Sequence, residues 1–238
     1  MENINIRRLK KELLTVLIII QLFWPLVTTC RCAIKHPQQL FCTSNYVMTA
    51  KVEEVTLNYV TQEKATELSP LGSLATVTYY VQVHHVYRFE RGKGRRRSIP
   101  RRTKIHTPGS LYDCRASLQK DKTYIISGDV RGRKLWVNSC DWVQNMATMT
   151  YSQKMGLMKL YEKNCRCQVK CCTGSQCKRK KSARHRNMCR MDTGIFSCYT
   201  NYGICEYEQT KGQRGCSWKS NPDIDRCLTT HGYQSGLF

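Results

Sequence analysis

The sequence predicts a mainly β fold: a small closed five-stranded barrel of the OB type with short helices, followed by a small disulfide-rich C-terminal part. Three observations predict it. Residues 47–60 and 75–89 are long runs of β-branched and aromatic residues. Three shorter runs of the same kind follow, and then helix signals. Cysteine density changes abruptly, with five Cys in residues 30–164 and ten in 165–227.

In chain order, the first element is a targeting segment. Arg7, Arg8, Lys10 and Lys11 precede an apolar stretch at 13–27 and then Thr28 and Thr29. That is the layout of a secretory signal peptide spanning 1–29. The stretch is shorter than the roughly 18–20 residues of a spanning helix, and Gln21 and Pro25 interrupt it, so a retained anchor is the minor alternative. Val27 and Thr29 occupy the positions that want small residues, which puts the cut between Thr29 and Cys30. The remaining 209 residues carry a net charge of +20 and all 15 Cys. An oxidising compartment favours disulfides over zinc thiolates, and an odd count leaves one Cys unpaired or bonded to another molecule.

Within the first part, Val77, Tyr79, Val81 and Val83 alternate with polar neighbours, as in a strand with one buried face. Residues 62–72, with Ser69, Pro70 and Gly72, form the hairpin loop. Strands at 104–107, 123–130 and 134–138 complete the set, with Gly132 turning the last pair. Asp141 is expected to cap a short helix through Met146. Ser152 is expected to cap another, with Met155, Met158 and Tyr161 on one face. The last 74 residues are too few for an ample core and lean on cross-links, each typically contributing about 2–4 kcal/mol.

The chain has 39 Lys plus Arg against 17 Asp plus Glu. Such an excess implies an acidic partner or surface. It is concentrated in two runs, one with Arg95, Arg96, Arg97, Arg101 and Arg102, the other with Lys178, Arg179, Lys180 and Lys181. Outside a cell, sulfated glycosaminoglycans are the abundant polyanions, and a solvated loop or a processing site near Arg97 is the equal alternative. His84 and His85 are adjacent on a strand, so alternation sends them to opposite faces, and a shared metal is disfavoured. Oxidised Cys leave no Cys/His nucleophile, and no Ser/His/Asp constellation stands out, so an enzyme is not expected.

The most specific feature is the head of the mature chain, Cys30-Arg31-Cys32 followed by His36-Pro37-Gln38-Gln39-Leu40-Phe41-Cys42. Thr107-Pro108 leads to Cys114, Tyr124-Ile125-Ile126-Ser127-Gly128 leads to Cys140-Asp141, and Cys165, Cys167 and Gly215-Cys216-Ser217-Trp218 follow. Together these resemble the tissue inhibitors of metalloproteinases over nearly all of the mature chain. The resemblance implies a netrin-like inhibitory domain at 30–165 and a C-terminal domain at 166–238. It also implies a secreted inhibitor of zinc metalloendopeptidases with no cofactor of its own.

By that resemblance, the α-amine and carbonyl of Cys30 chelate the catalytic zinc of the target. Arg31, Cys32, Ala33 and Ile34 line the protease cleft, and Ser110, Leu111, Tyr112, Asp113 and Cys114 form a second contact segment. The implied pairs are Cys30–Cys114, Cys32–Cys140, Cys42–Cys165, Cys167–Cys216, Cys172–Cys177 and Cys189–Cys205. Cys198–Cys227 resembles an additional pair of invertebrate members. Cys171 is then odd, either a free thiol, an intermolecular link or a competitor for Cys177. Arg31 and Ile34 depart from the small residue and the Pro common in the family. Weaker or narrower inhibition is expected from Arg31, and the runner-up is a non-inhibitory netrin-like module held on matrix glycosaminoglycans, in which residues 30–42 are merely a stapled first strand.

Overall fold

A computed structural model describes residues 30–64, 72–90, 98–111, 113–178, 186–210 and 213–231. Residues 1–29, expected from the sequence to be a signal segment, and Arg95, Arg96, Arg97, Tyr112, Arg179, Lys180 and Lys181 lie outside the described residues.

Helix α1 (Pro37–Thr43) comes first. Pro37 suits the first helical position because its missing N–H has no intrahelical partner there. Residues 30–36 belong to no strand or helix, and the first strand of the alternative reading is a helix from Pro37 onward. Strand β1 (Tyr46–Tyr59) pairs antiparallel with β2 (Leu74–Phe89), and β2 with β3 (Arg102–Pro108). Strand β4 (Thr123–Arg131) is antiparallel to β5 (Lys134–Trp136), which runs parallel to β3. Pairing of β4 with β1 closes the ring.

Inside it, Met48, Ala50 and Val52 meet Val77, Tyr79, Val81, Ile105 and Ile126. The intervening Val47 and Ile125 point outward and are equally buried, under Leu40 and Phe41 of α1 and under Trp142, Leu157 and Tyr161. Strands covered on both faces read as continuous apolar runs, which is what this part of β1 and β4 shows.

Three sequence expectations need correction. Asp141 caps no helix: its Oδ2 accepts from the Asn138 amide at 2.8 Å, and Val143–Asn145 is a sixth strand, β6, on β4. A free sheet edge outweighs weak helix propensity in so short a segment. Helix α2 (Tyr151–Met155) is capped by Thr150, not Ser152, through a capping box with Gln153. It runs into a π turn, Gly156–Leu160, closed by the Tyr161 amide on the Gly156 carbonyl at 2.8 Å. The wider turn favours four-residue spacing, so Leu157 is buried with Tyr161 while Met158 is exposed. Finally, His84 and His85 are both exposed, because a register shift between Thr49 and Ala50 interrupts the alternation.

The remaining chain pairs β7 (Gln168–Cys172) with β8 (Met188–Asp192) in parallel. A short helix, α3 (Ser175–Lys178), follows β7. Helix α4 (Phe196–Tyr202), the hairpin of β9 (Cys205–Thr210) and β10 (Gln213–Trp218), and α5 (Pro222–Thr230) complete it. Its core is small and half sulfur: Cys167, Cys189, Cys205 and Cys216 surround Val169, Met191, Ile195 and Ile224. Among the described residues, no helix is long and apolar enough to cross a membrane.

Candidate functional site

Cys30 is bonded to Cys114 and Cys32 to Cys140, with Cα separations of 5.0 and 5.1 Å. The two bridges lie side by side, the Cys30 and Cys140 sulfurs 3.8 Å apart. The four sulfurs cluster within 4.8 Å, yet as two disulfides they offer no thiolate to a metal. What Cys30 retains outside its bridge is its backbone carbonyl and backbone nitrogen. Arg31, Cys32, Ala33, Ile34 and Lys35 are exposed around it.

The segment that receives the first bridge is a tight turn. Asp113 N–H donates to the Ser110 carbonyl, Cys114 N–H to that of Leu111, and Arg115 Nη1 to that of Gly109 at 3.1 Å. Gly109 is fixed by contact, since a Cβ there would lie 1.9 Å from the Leu74 carbonyl oxygen. Cys114 has φ +63°, a left-handed conformation uncommon for a side-chain-bearing residue, held by its bridge and by Ser139 N–H on its carbonyl. Leu111 is 60% exposed at the crest. The structure thus brings Cys30, Arg31, Cys32, Ser110, Leu111, Asp113 and Cys114 together on one edge.

Beneath the second bridge, Asn138 Oδ1 accepts from the Cys140 amide at 2.7 Å. Burial, and secondarily the charge of Asp129, pushes the Asp141 carboxyl up to about 6; the Asn138 N–H, Lys35 and Arg131 oppose this. Cys42–Cys165 ties α1 to the end of the helical segment after α2. The other bridges are Cys167–Cys216, Cys172–Cys177, Cys189–Cys205 and Cys198–Cys227. Cys171 is a free, exposed thiol whose Sγ donates to the Ile34 carbonyl at 3.1 Å, and partial burial raises its pKa.

Sequence reasoning assigned no role to His36 and Gln38, which are completely buried. His36 Nδ1 accepts from the Gln38 amide at 3.1 Å, capping α1, and Nε2 donates to the Tyr199 carbonyl at 2.9 Å. The ring contacts those of Trp218 and Tyr161, and burial lowers its pKa to about 4, so it is neutral. The signal available was a polar His-Pro-Gln triplet just before an apolar run, the start of a helix. Of the basic residues, Arg101 and Arg102 are exposed, and Arg102 pairs with Glu53 at 3.6 Å. Lys178 ends the short helix α3 on the other side of the chain's sequence midpoint.

The family model of tissue inhibitors of metalloproteinases matches residues 28–218. Metalloproteinase inhibitor 3 of Xenopus laevis is 28% identical over 193 residues, 79% of this chain and 80% of that protein. The tissue inhibitor of metalloproteinase of Drosophila melanogaster is 24% identical over 204 residues, 84% of this chain and 86% of the relative. Metalloproteinase inhibitor 3 of Gallus gallus is 30% identical over 145 residues, 60% of each chain. With a match across most of its length and a closed β barrel carrying paired cysteines at its head, the chain belongs to the tissue inhibitor of metalloproteinase family.

Proposed function

We propose that this chain is a secreted protein inhibitor of zinc metalloendopeptidases of the matrix metalloproteinase type, acting through a mature N-terminus at Cys30. The observation that carries the reading is the pair of adjacent bridges from Cys30 and Cys32 to Cys114 and Cys140, which stiffens an exposed edge. A stiff edge loses little ordering entropy on binding.

A terminal Cys30 would offer an α-amine and its own carbonyl oxygen, a pair that closes a five-membered ring on a metal ion. Catalytic zinc in such proteases keeps one position for water. Occupying that position displaces the nucleophile of peptide hydrolysis. An α-amine has a pKa near 7.7–8.0, so a modest shift makes it a ligand at neutral pH. Arg31 would then enter the main specificity pocket, Ala33 and Ile34 would continue along the cleft, and Ser110–Cys114 would contact its other side. Residues 30–165 would form the inhibitory domain and 166–238 the second domain, after removal of 1–29.

The test is a titration of catalytic domains with secreted protein whose N-terminus is verified as Cys30, beside a version with one extra N-terminal Ala. Stoichiometric inhibition that the extra Ala abolishes is expected, because the amine becomes an amide. Equal inhibition by both versions would exclude chelation by the amine.

A further inference from the structure

Strand β1 is 14 residues long, but β4 covers only Tyr46–Lys51 of it. The last bonds on that side are made at Val52, whose N–H donates to Lys122 O and whose carbonyl accepts from the Asp121 N–H. A register shift between Val52 and Glu54 follows, and β1 runs on to Tyr59 paired with β2. Among the described residues, no strand pairs with the other side of residues 53–59.

The register fixes which groups face that open side. Val83 N–H donates to Arg101 O, and Gly109 N–H donates to Ala75 O. The odd-numbered residues of β2 between them therefore bond toward β3, and Thr76, Thr78 and Tyr80 bond toward β1, where they face Asn58, Thr56 and Glu54. The N–H and C=O groups of Val55, Leu57 and Tyr59 point away from β2, into the open edge. Their side chains share the face of the barrel core, since Val55 and Leu57 lie opposite the buried Tyr79 and Val77. Yet Val55, Leu57 and Tyr59 are 38%, 49% and 55% exposed. Open edges are commonly guarded by Lys or Pro, and residues 53–59 contain neither.

The edge is complementary to itself. A two-fold axis at Thr56, its middle residue, sets Val55 against Leu57 of a second copy, Glu53 against Tyr59 and Glu54 against Asn58. Apolar side chains then meet apolar ones, and no charge stands opposite its like. Glu53 is moreover already paired with Arg102 at 3.6 Å.

We propose that residues 53–59 are a docking edge for a second copy of this chain, joined antiparallel about Thr56 into a two-fold dimer. This surface is separate from the residues of the inhibitory reading and does not depend on it. Seven residues a side is far fewer than the roughly 20–30 of a stable interface, so the dimer is reversible, with a dissociation constant on the order of 10–100 µM.

Sedimentation equilibrium of the secreted protein tests this, at about 0.3 M salt to screen its net charge and with Cys171 alkylated to exclude a disulfide-linked dimer. A concentration-dependent monomer–dimer equilibrium is expected, a readout that needs no variant to fold. Leu57→Lys, at an exposed position, should weaken it at least about tenfold and leave the thermal midpoint within about 2 °C. In a Cys171→Ser background, Thr56→Cys brings two Cα atoms to about 4.5 Å across the axis, whereas Glu54→Cys leaves them about 13 Å apart. In a glutathione redox buffer, Thr56→Cys should therefore form a covalent dimer at least about tenfold faster than Glu54→Cys.

Protein that stays monomeric up to about 1 mM would overturn the proposal, and Leu57→Lys then altering inhibition alone would assign the edge to the protease instead. Dimerisation indifferent to Leu57→Lys would overturn it by placing the contact elsewhere. Equal cross-linking of the two Cys variants would do so by excluding the antiparallel register about Thr56.

Discussion

Gln38 and Cys205 pair as if Gln38 were a strand residue: its Nε2 donates to Cys205 O at 2.8 Å and its Oε1 accepts from Cys205 N at 2.9 Å. Nε2 also reaches Asn164 O at 3.2 Å, and Asn164 Oδ1 accepts from the Tyr207 amide at 3.0 Å. The bonds that Gln38 itself makes are buried, so its truncation leaves backbone groups unpaired rather than returned to water. Gln38→Ala should lower the unfolding free energy by about 2–4 kcal/mol, read as a shift in the urea midpoint with disulfides intact. A change within about 0.5 kcal/mol would mean that water or a local shift replaces the amide.

Gly156 begins the π turn that wraps Tyr161. A Cβ built there would lie 2.3 Å from Tyr161 Cζ, and Tyr161 is fully buried against Phe41 and Trp142. The ring cannot move aside without displacing that cluster. Gly156→Ala is therefore expected to destabilise by roughly 1–3 kcal/mol despite Ala's better helix propensity, and thermal unfolding measures it. A stabilising effect would show that the turn reverts to an α-helix and the cluster repacks.

The pH dependence of stability has two opposed sources. His36 sits at about 4 in the fold against 6.5 for an unperturbed histidine. Between those values the unfolded chain binds the proton first, so its stabilisation is present above pH 6.5 and is lost as pH falls toward 4. The loss is on the order of 3 kcal/mol if expressed in full. Asp141, raised to about 6, works the other way: the folded state holds the proton more tightly, so acidification through that range relieves a penalty. Asp141→Asn should be more stable than the unsubstituted protein at pH 7.5, converge with it near pH 4, and fall more steeply between. Urea midpoints at half-unit pH intervals test this, and parallel curves for the two proteins would refute it.

How much of this could be read from the chain follows from how far each signal extends. Residues 47–60 and 75–89 carry many alternating positions, and β1 and β2 lie within a residue or two of them. Strand β6 has three residues and no pattern of its own; only the free edge of β4 makes Val143–Asn145 a strand. Thr150 and Ser152 are equivalent capping residues in sequence, and the Gln153 side chain returning to the Thr150 amide decides between them. Cys spacing drew attention to Cys30 and Cys32 but not to His36 and Gln38, whose bonds to Tyr199 and Cys205 reach backbone groups more than 160 residues away. A carbonyl at a helix end has no sequence signature, so a side chain that serves one looks ordinary until the fold is known.

The Cys198–Cys227 bridge joins α4 to α5 across a sequence separation of 29. Chain entropy predicts about 3–4 kcal/mol for closing such a loop. The same two helices already meet through Asn221 Nδ2 on Tyr202 O, and Cys198 is wholly buried. Replacing both residues by Ala should therefore cost stability in this part of the chain while leaving the Cys30–Cys114 and Cys32–Cys140 edge in place. Local amide exchange in residues 196–230 is expected to quicken, with exchange in β1 and β4 unaltered. Equal loss of protection in the barrel would instead show that the whole chain unfolds as one unit.

The inhibitory reading makes residue 31 the side chain that meets the main specificity pocket. Arg31 is exposed, and it stands beside a bridge that leaves its backbone little freedom. Pushing a guanidinium into an apolar pocket strips its hydration unless a carboxylate meets it, whereas the long stem packs well if the head reaches water beyond. Arg31→Thr should therefore tighten inhibition at least about tenfold for proteases with closed apolar pockets, and weaken it where an acidic group lines the pocket. Titration of both proteins against enzymes of each kind gives the ratio directly. A ratio that does not depend on the pocket would mean that Arg31 points elsewhere, and that the edge made by Cys30, Cys32 and Cys114 meets its target in another orientation.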